Sequence, residues 1–227
     1  MRNTKADPSS KEGFFNHYRS MKDKQKVIVY VDGFNFYFGL KEKKWKKFYW
    51  LDIVAFFENT LRPYQDLVEV KYFSARPTNT GKNERQDLLF SANKQNPKFK
   101  LILGKYLKKD ITCRSCGSVI HSFEEKETDV RIATNIIADA YNDRCDVTIL
   151  VSADSDLVPP LELLREIKPV QKIIVFFPPK RFSTNLKNIA DSTKILDGAR
   201  ILFENARLSD EIQLPSGYVI KRPSKWV

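Results

Sequence analysis

The chain has 227 residues, 42% hydrophobic and 12% aromatic, enough for one sizeable core in a single domain with extensions. Lys and Arg number 39 against 28 Asp and Glu, a formal charge of +11, which suits a polyanionic partner. No stretch approaches the roughly 18 apolar residues of a membrane helix, and 3 cysteines make no disulfide framework, so membrane-spanning and disulfide-stapled classes are excluded and a reducing cytoplasm is the expected compartment.

Residues 1–25 form a polar, Lys-rich arm without an apolar stretch, so no secretory signal is expected. From Val27 strands and helices alternate. Val27–Val31 is a continuous apolar run, as in a strand buried on both faces, followed by a short aromatic helix over Phe34–Leu40. Asp52 caps a helix over Ile53–Thr60 that stops before Pro63. Val68–Ser74 is the second strand, 76–81 a turn-rich loop, Asn83–Lys94 a helix and Phe99–Leu107 a strand. Residues 108–125 interrupt the alternation as a small hairpin or knuckle. Thr128 then caps an amphipathic helix to Tyr141, Asp146–Val151 is a strand, and Asp156–Glu166 a helix that tolerates Pro159 and Pro160 in its first turn. Lys172–Phe177 is a strand, Ser183–Ala190 a helix, and Ile195–Leu196 a last short strand. The pattern predicts an α/β domain over 26–204 with a mostly parallel sheet covered on both faces, and an extended arm over 205–227 packed on it.

Four aspartates stand where this topology collects ligands, outside the carboxyl ends of the strands. Asp32 ends the first apolar run, Asp154 and Asp156 follow the run Val147–Val151, and Asp129 lies in the first turn of the helix before it. Gly33 lets the chain turn sharply, and Asn35 is placed to steady Asp32 or hold a substrate oxygen. An ordinary strand-to-helix turn also explains Asp32 and Asn35, and helix capping explains Asp156, but capping leaves Asp154 without a role. Carboxylates about 5 Å apart repel by roughly 3 kcal/mol per pair at an effective dielectric of about 20, so such a cluster calls for a cation, and oxygen-only ligands suit Mg²⁺ or Mn²⁺. The chain has no phosphate-binding P-loop, no dinucleotide fingerprint, and no second Asp two residues beyond Asp32 of the kind a haloacid-dehalogenase phosphatase carries.

Taken together, Asp32-Gly-Phe-Asn35, Lys126-Glu-Thr-Asp129 and Ser152-Ala-Asp-Ser-Asp156 resemble the signature of the NYN domain, a branch of the PIN-like nucleases. Phe73–Pro77, the Cys113–Cys116 pair, Pro178–Arg181 and the tail from Gln213 to Trp226 resemble flanking features of bacterial members; Ala153 stands where many members have Gly. The resemblance implies a PIN-like three-layer α/β/α sandwich and metal-dependent RNA cleavage. Asp32, Asp129, Asp154 and Asp156 would be the metal-binding acids, with Asn35 beside them.

Cys113 and Cys116 have zinc-ligand spacing with His121 as a third ligand, but one pair is half a site, so a zinc knuckle and a metal-free turn both stay open. Basic residues gather around Trp45 (Lys43 and Lys44 among them), before the knuckle (Lys105) and after the strand ending at Phe177 (Lys180, Arg181). Together with Lys126 and Arg76 they are expected to hold an RNA backbone, single-stranded because the interleaved aromatics suit stacking on free bases. A solvated loop explains the Lys41–Lys47 run equally well. A non-catalytic RNA-binding module of the same fold is the alternative reading, a phosphatase or nucleotide hydrolase using the same acids a weaker third. Self-association is left open.

Overall fold

A computed structural model describes residues 24–76, 80–112 and 115–226. In chain order it contains β1 (Gln25–Asp32), α1 (Gly33–Glu42), α2 (Ile53–Glu58), β2 (Gln65–Ser74), α3 (Thr80–Asn93), β3 (Phe99–Leu103), β4 (Lys105–Thr112) and β5 (Val119–Lys126). There follow α4 (Thr128–Tyr141), β6 (Val147–Val151), α5 (Val158–Ile167), β7 (Lys172–Phe177), α6 (Thr184–Ile189), β8 (Ser192–Ile195), α7 (Arg200–Asn205), β9 (Glu211–Gln213) and β10 (Val219–Lys221).

The central sheet has six strands in the order β3-β2-β1-β6-β7-β8, and all neighbours are parallel. Strands after β1 are added outward on one side, and strands after β6 on the other. The topology therefore reverses between β1 and β6, where a doubly wound sheet opens a ligand crevice at its carboxyl edge. Val31 pairs with Val151, so Asp32 and Ser152 leave that edge side by side.

Period-two alternation sorts β1 into two cores. Val27, Val29 and Val31 face an aromatic layer of Phe36, Phe56, Phe57 and Phe203. Ile28 and Tyr30 face Ile132, Ile136, Leu161 and Leu164 of α4 and α5. Helices thus cover both faces and the fold is the expected three-layer α/β/α sandwich.

Gly33 begins α1 where that helix leaves β1 against the end of β2. A Cβ there would lie 2.4 Å from the Phe73 carbonyl oxygen and 2.6 Å from the Tyr72 ring. Backbone cannot yield cheaply, so Gly33→Ala is expected to cost about 1–3 kcal/mol, read as a lowered urea midpoint.

Some expectations need revision. The strand expected over 99–107 ends at Leu103, because Gly104 passes so close to the start of α4 that a Cβ would meet the Lys126 carbonyl oxygen at 2.7 Å. The interrupting segment is a hairpin, as expected, but its antiparallel strands β4 and β5 reach beyond 108–125, with Lys105 opposite Lys126. Thr128 is not a cap but the first helical residue; Glu127 takes the cap position with a left-handed backbone (φ 76°) and no side-chain capping bond. The tail beyond Asn205 is a β9–β10 hairpin and a last turn rather than an extended arm. It is held by buried Ile220, by the Trp50–Trp226 ring contact, and by Trp50 Nε1 donating to the Ser209 carbonyl. All but the last two residues of the expected N-terminal arm lie outside the described residues.

Candidate active site

Asp32 is the N-cap of α1, and burial leaves it only 3% exposed. One carboxylate oxygen accepts the backbone N–H of Phe34 (3.1 Å) and of Asn35 (3.0 Å). The other accepts Asn35 Nδ2 (2.6 Å) and Ser152 Oγ (2.8 Å). Four donors match the roughly four acceptor positions of a carboxylate. Burial raises its pKa above the usual range, the bonds from Asn35 and Ser152 pull it back, and the nearby Asp154 charge adds to the rise.

Ser152 ties β6 to this site twice, since its Oγ also accepts the backbone N–H of Asp154 (3.0 Å). Asp154 in turn accepts the N–H of Asp156 (3.0 Å), opening the short 3-10 turn Ser155–Leu157 before α5. This local capping fixes the backbone of the turn that carries both acids, with Asp154 half-buried and Asp156 exposed.

Asp129 joins them from α4. It is solvent-accessible, yet its pKa is pushed up to about 6. Partial loss of hydration is the largest cause, and the charges of Asp32, Asp154 and Asp156 supply the rest, with no hydrogen bond acting the other way. Residues separated by up to 124 positions thus repel one another across one crevice. Among the described residues no three carboxylate, imidazole or thiol groups stand close enough to share one ion as the side chains are arranged. The donor set nevertheless suits a hard divalent cation: oxygen only, anionic, and with Asp129 lacking any positive partner among the causes of its shift. Asp32 would have to release Asn35 or Ser152 to contribute.

The basic residues fall around this edge unequally. Lys126 is exposed at the end of β5, three positions before Asp129. Lys105, opposite it, pairs with Glu127 (3.0 Å), and exposed Arg76 lies 3.6 Å from Asp87. Lys43 (2.6 Å) and the backbone N–H of Lys180 (3.1 Å) both engage Asp197, and Arg181 pairs with Glu42. Lys44 is exposed with φ 60°. Internal acids thus engage the side chains of Lys43, Lys105 and Arg181.

Cys113 and the side chain of His121 lie outside the described residues; Cys116 is exposed, its Sγ 3.0 Å from Ser118 Oγ. Cys145 is buried, burial pushing its thiol up to about 11 despite a bond to Thr148.

Two features escaped the sequence reading. Ser152 carries no role of its own in the motif as read from sequence, although a serine directly after a buried strand end is a signal for a bond within the site. Beneath the acids lies a buried polar network: Tyr30 OH donates to Asp139 (2.7 Å), which also pairs with Lys71 and with Arg144 (2.8 Å). Lys71 reaches Asn135 as well (3.0 Å). These partners tie α4 to β1 and β2, on the helix whose first turn carries Asp129. Lys71 within a strand run, and Asp139 on the buried stripe of α4, were the visible cues.

Residues 26–197 match the NYN domain family. A curated relative, 6-hydroxy-3-succinoylpyridine 3-monooxygenase HspA of Pseudomonas putida, is 24% identical over 177 residues, covering 60% of this chain and 54% of the relative. The chain thus spans about half the length of that protein. Among solved structures, a protein of unknown function, VPA0982 from Vibrio parahaemolyticus, superposes with a TM-score of 0.51 and 22% identity over 77% of this chain and 94% of the other, a likeness of fold.

Proposed function

The chain belongs to the NYN domain family, whose fold is nuclease-like, and from that premise we propose that it is a metal-dependent ribonuclease with Asp32, Asp129, Asp154 and Asp156 as its acidic centre. The carrying observation is geometric: β1 and β6 pair side by side so that Ser152 bonds both the Asp32 carboxylate and the Asp154 backbone, and Asp129 opens α4 close enough for the charges of Asp32, Asp154 and Asp156 to act on it. Mg²⁺ or Mn²⁺ held by these carboxylates would polarise an attacking water and neutralise charge on the phosphate. Asp129, Asp154 and Asp156, all more accessible than Asp32, would hold the ion. Asp32, with Asn35 and Ser152, clamps the ends of β1 and β6 together so that those carboxylates stay aligned. Lys126 would bind the scissile phosphate, and Lys105, Arg76, Lys43, Lys44, Lys180 and Arg181 the flanking single strand. Hydrolysis would leave a 5′-phosphate and a 3′-hydroxyl. The test is cleavage of single-stranded RNA by purified protein with Mn²⁺ against an EDTA control.

One observation favours a second reading, a non-catalytic RNA-binding module: the four acceptor positions of Asp32 are filled by protein donors. That module would bind RNA with strong salt dependence and cleave it in no divalent metal.

The pH response follows from Asp129. Its folded pKa of about 6 exceeds the ordinary 3.8. The folded state therefore holds a proton the unfolded chain has released, and this contribution is full below about pH 4 and lost as pH rises through 6. For so accessible a group the screened effect is about 1 kcal/mol at most, or roughly 2–4 °C in melting temperature. Metal-free Asp129→Asn should melt higher than the native protein at pH 8 but not at pH 4, whereas Mn²⁺ should stabilise the native protein more than the variant. Equal melting curves of the two at all pH values would remove Asp129 from the centre.

A further inference from the structure

Next to the residue that follows Asp32, a cavity of about 210 Å³ opens between α1, α3 and the C-terminal turn. Its walls are rich in aromatic rings, with Tyr37, Tyr49, Tyr72 and Trp226 among them, while Lys82 and Arg85 contribute cations. Gly33 and Phe34 form one side, so the lining begins at the residue after Asp32. Tyr72 reports the same closeness: burial chiefly, and the Asp32 charge secondarily, raise its pKa far above the ordinary phenol value. The hairpin joins the rim, because Tyr106 of β4 meets the Phe34 ring edge-on at 5.9 Å.

We infer that this cavity is a base pocket, taking one nucleobase of the RNA strand whose neighbouring phosphate lies at the acids. The inference rests on the proposed RNA substrate. Size argues for a single ring system, since ordinary ligand pockets run to roughly 300–1,000 Å³. Chemistry argues for a flat ring with polar edges and an anionic tether. Tyr37 is 38% exposed, with its ring tilted against Tyr49 at 5.1 Å, so it offers an aromatic surface that remains accessible among the described residues. On the α3 wall, Gln86 donates to Ser74 Oγ (2.9 Å) while its own Oε1 is buried with no donor among the described residues, an acceptor that a base N–H would satisfy. Lys82, Arg85 and Lys41 suit the phosphates on either side of the base. Stacking on aromatic side chains is sequence-tolerant and contributes about 1–3 kcal/mol per base.

The test measures anisotropy of a labelled single-stranded RNA decamer in EDTA, so that binding is read without cleavage. Tyr37→Ala should weaken binding about 5- to 150-fold, and Tyr37→Phe, which keeps the ring, should restore it. A single abasic residue moved along the decamer should reproduce the loss most strongly at one register and add nothing further in Tyr37→Ala. Native-like affinity in Tyr37→Ala, or equal effects of abasic residues at every position, overturns the pocket. A free aromatic nucleoside that competes no better in the native protein than in Tyr37→Ala also counts against it. The two readings fail separately. Cleavage in Mn²⁺ without any of these binding effects removes the pocket alone, and register-dependent binding without cleavage in any divalent metal removes the hydrolytic function alone.

Discussion

Asp154→Asn is expected to lower Mn²⁺-dependent RNA cleavage by more than roughly 100-fold, beyond the upper range for losing an outer partner of a metal site. Its fold should survive, because the Asn Oδ1 can still accept the Asp156 N–H that opens the turn before α5. The removed charge is one of three that push Asp129 upward, so the same variant should return the Asp129 pKa toward the ordinary range. Initial rates on a 5′-labelled RNA measure the first effect, and carboxyl NMR titration the second. Undiminished cleavage would reject the site assignment. Asp32→Asn is a poorer probe. An amide has one acceptor oxygen where four donors now point, so its amide N–H groups would face Asn35 or Ser152 and the clamp itself would loosen.

The largest loss of stability is expected from Lys71→Met. Lys71 is 2% and Asp139 is 3% exposed. Removing the ammonium leaves the Asp139 carboxylate buried, with Tyr30 and Arg144 as its remaining partners. Breaking one side of a buried pair costs about 3–5 kcal/mol, whereas replacing both partners by apolar groups is often close to neutral. For a chain of this size that is roughly a 6–20 °C fall in melting temperature. Lys71→Met combined with Asp139→Leu should recover part of it, limited by the orphaned Tyr30 hydroxyl. Because the network ties α4, which carries Asp129, to β1 and β2, the single variant should also lose cleavage before it unfolds. A melting temperature within 2 °C of native would show the network to be dispensable.

Much of the fold was legible because buried parallel strands write themselves as unbroken apolar runs. Val27–Val31, Val147–Val151 and Lys172–Phe177 lie where those runs predict, and α4 spans the predicted Thr128–Tyr141. The tail was opaque for the opposite reason. Its β9–β10 hairpin has three-residue strands, too short for a period to register, and its docking depends on Trp50, which lies over 150 positions away. The break at Gly104 was hidden too, since it answers to the start of α4 rather than to its own neighbours. At the site, the acidic motifs were readable as strand-end and helix-start aspartates. What decides their electrostatics was not: Ser152 reaching Asp32 from 120 positions away, and the switch between β1 and β6, arise only from strand order. The cavity beside Phe34 was invisible for the same reason, being assembled from α1, α3 and the last turn.

Asp129 of α4, with Asp154 and Asp156 of the β6–α5 turn, is expected to hold one divalent ion beside Asp32 at the carboxyl edge of β1 and β6. Crystals soaked in Mn²⁺ and measured for anomalous scattering test it directly. The account predicts a peak in the crevice bound by at least two of Asp32, Asp129, Asp154 and Asp156, and absent in Asp154→Asn crystals. A native crystal with no peak there, or with Mn²⁺ bound only elsewhere, would contradict it.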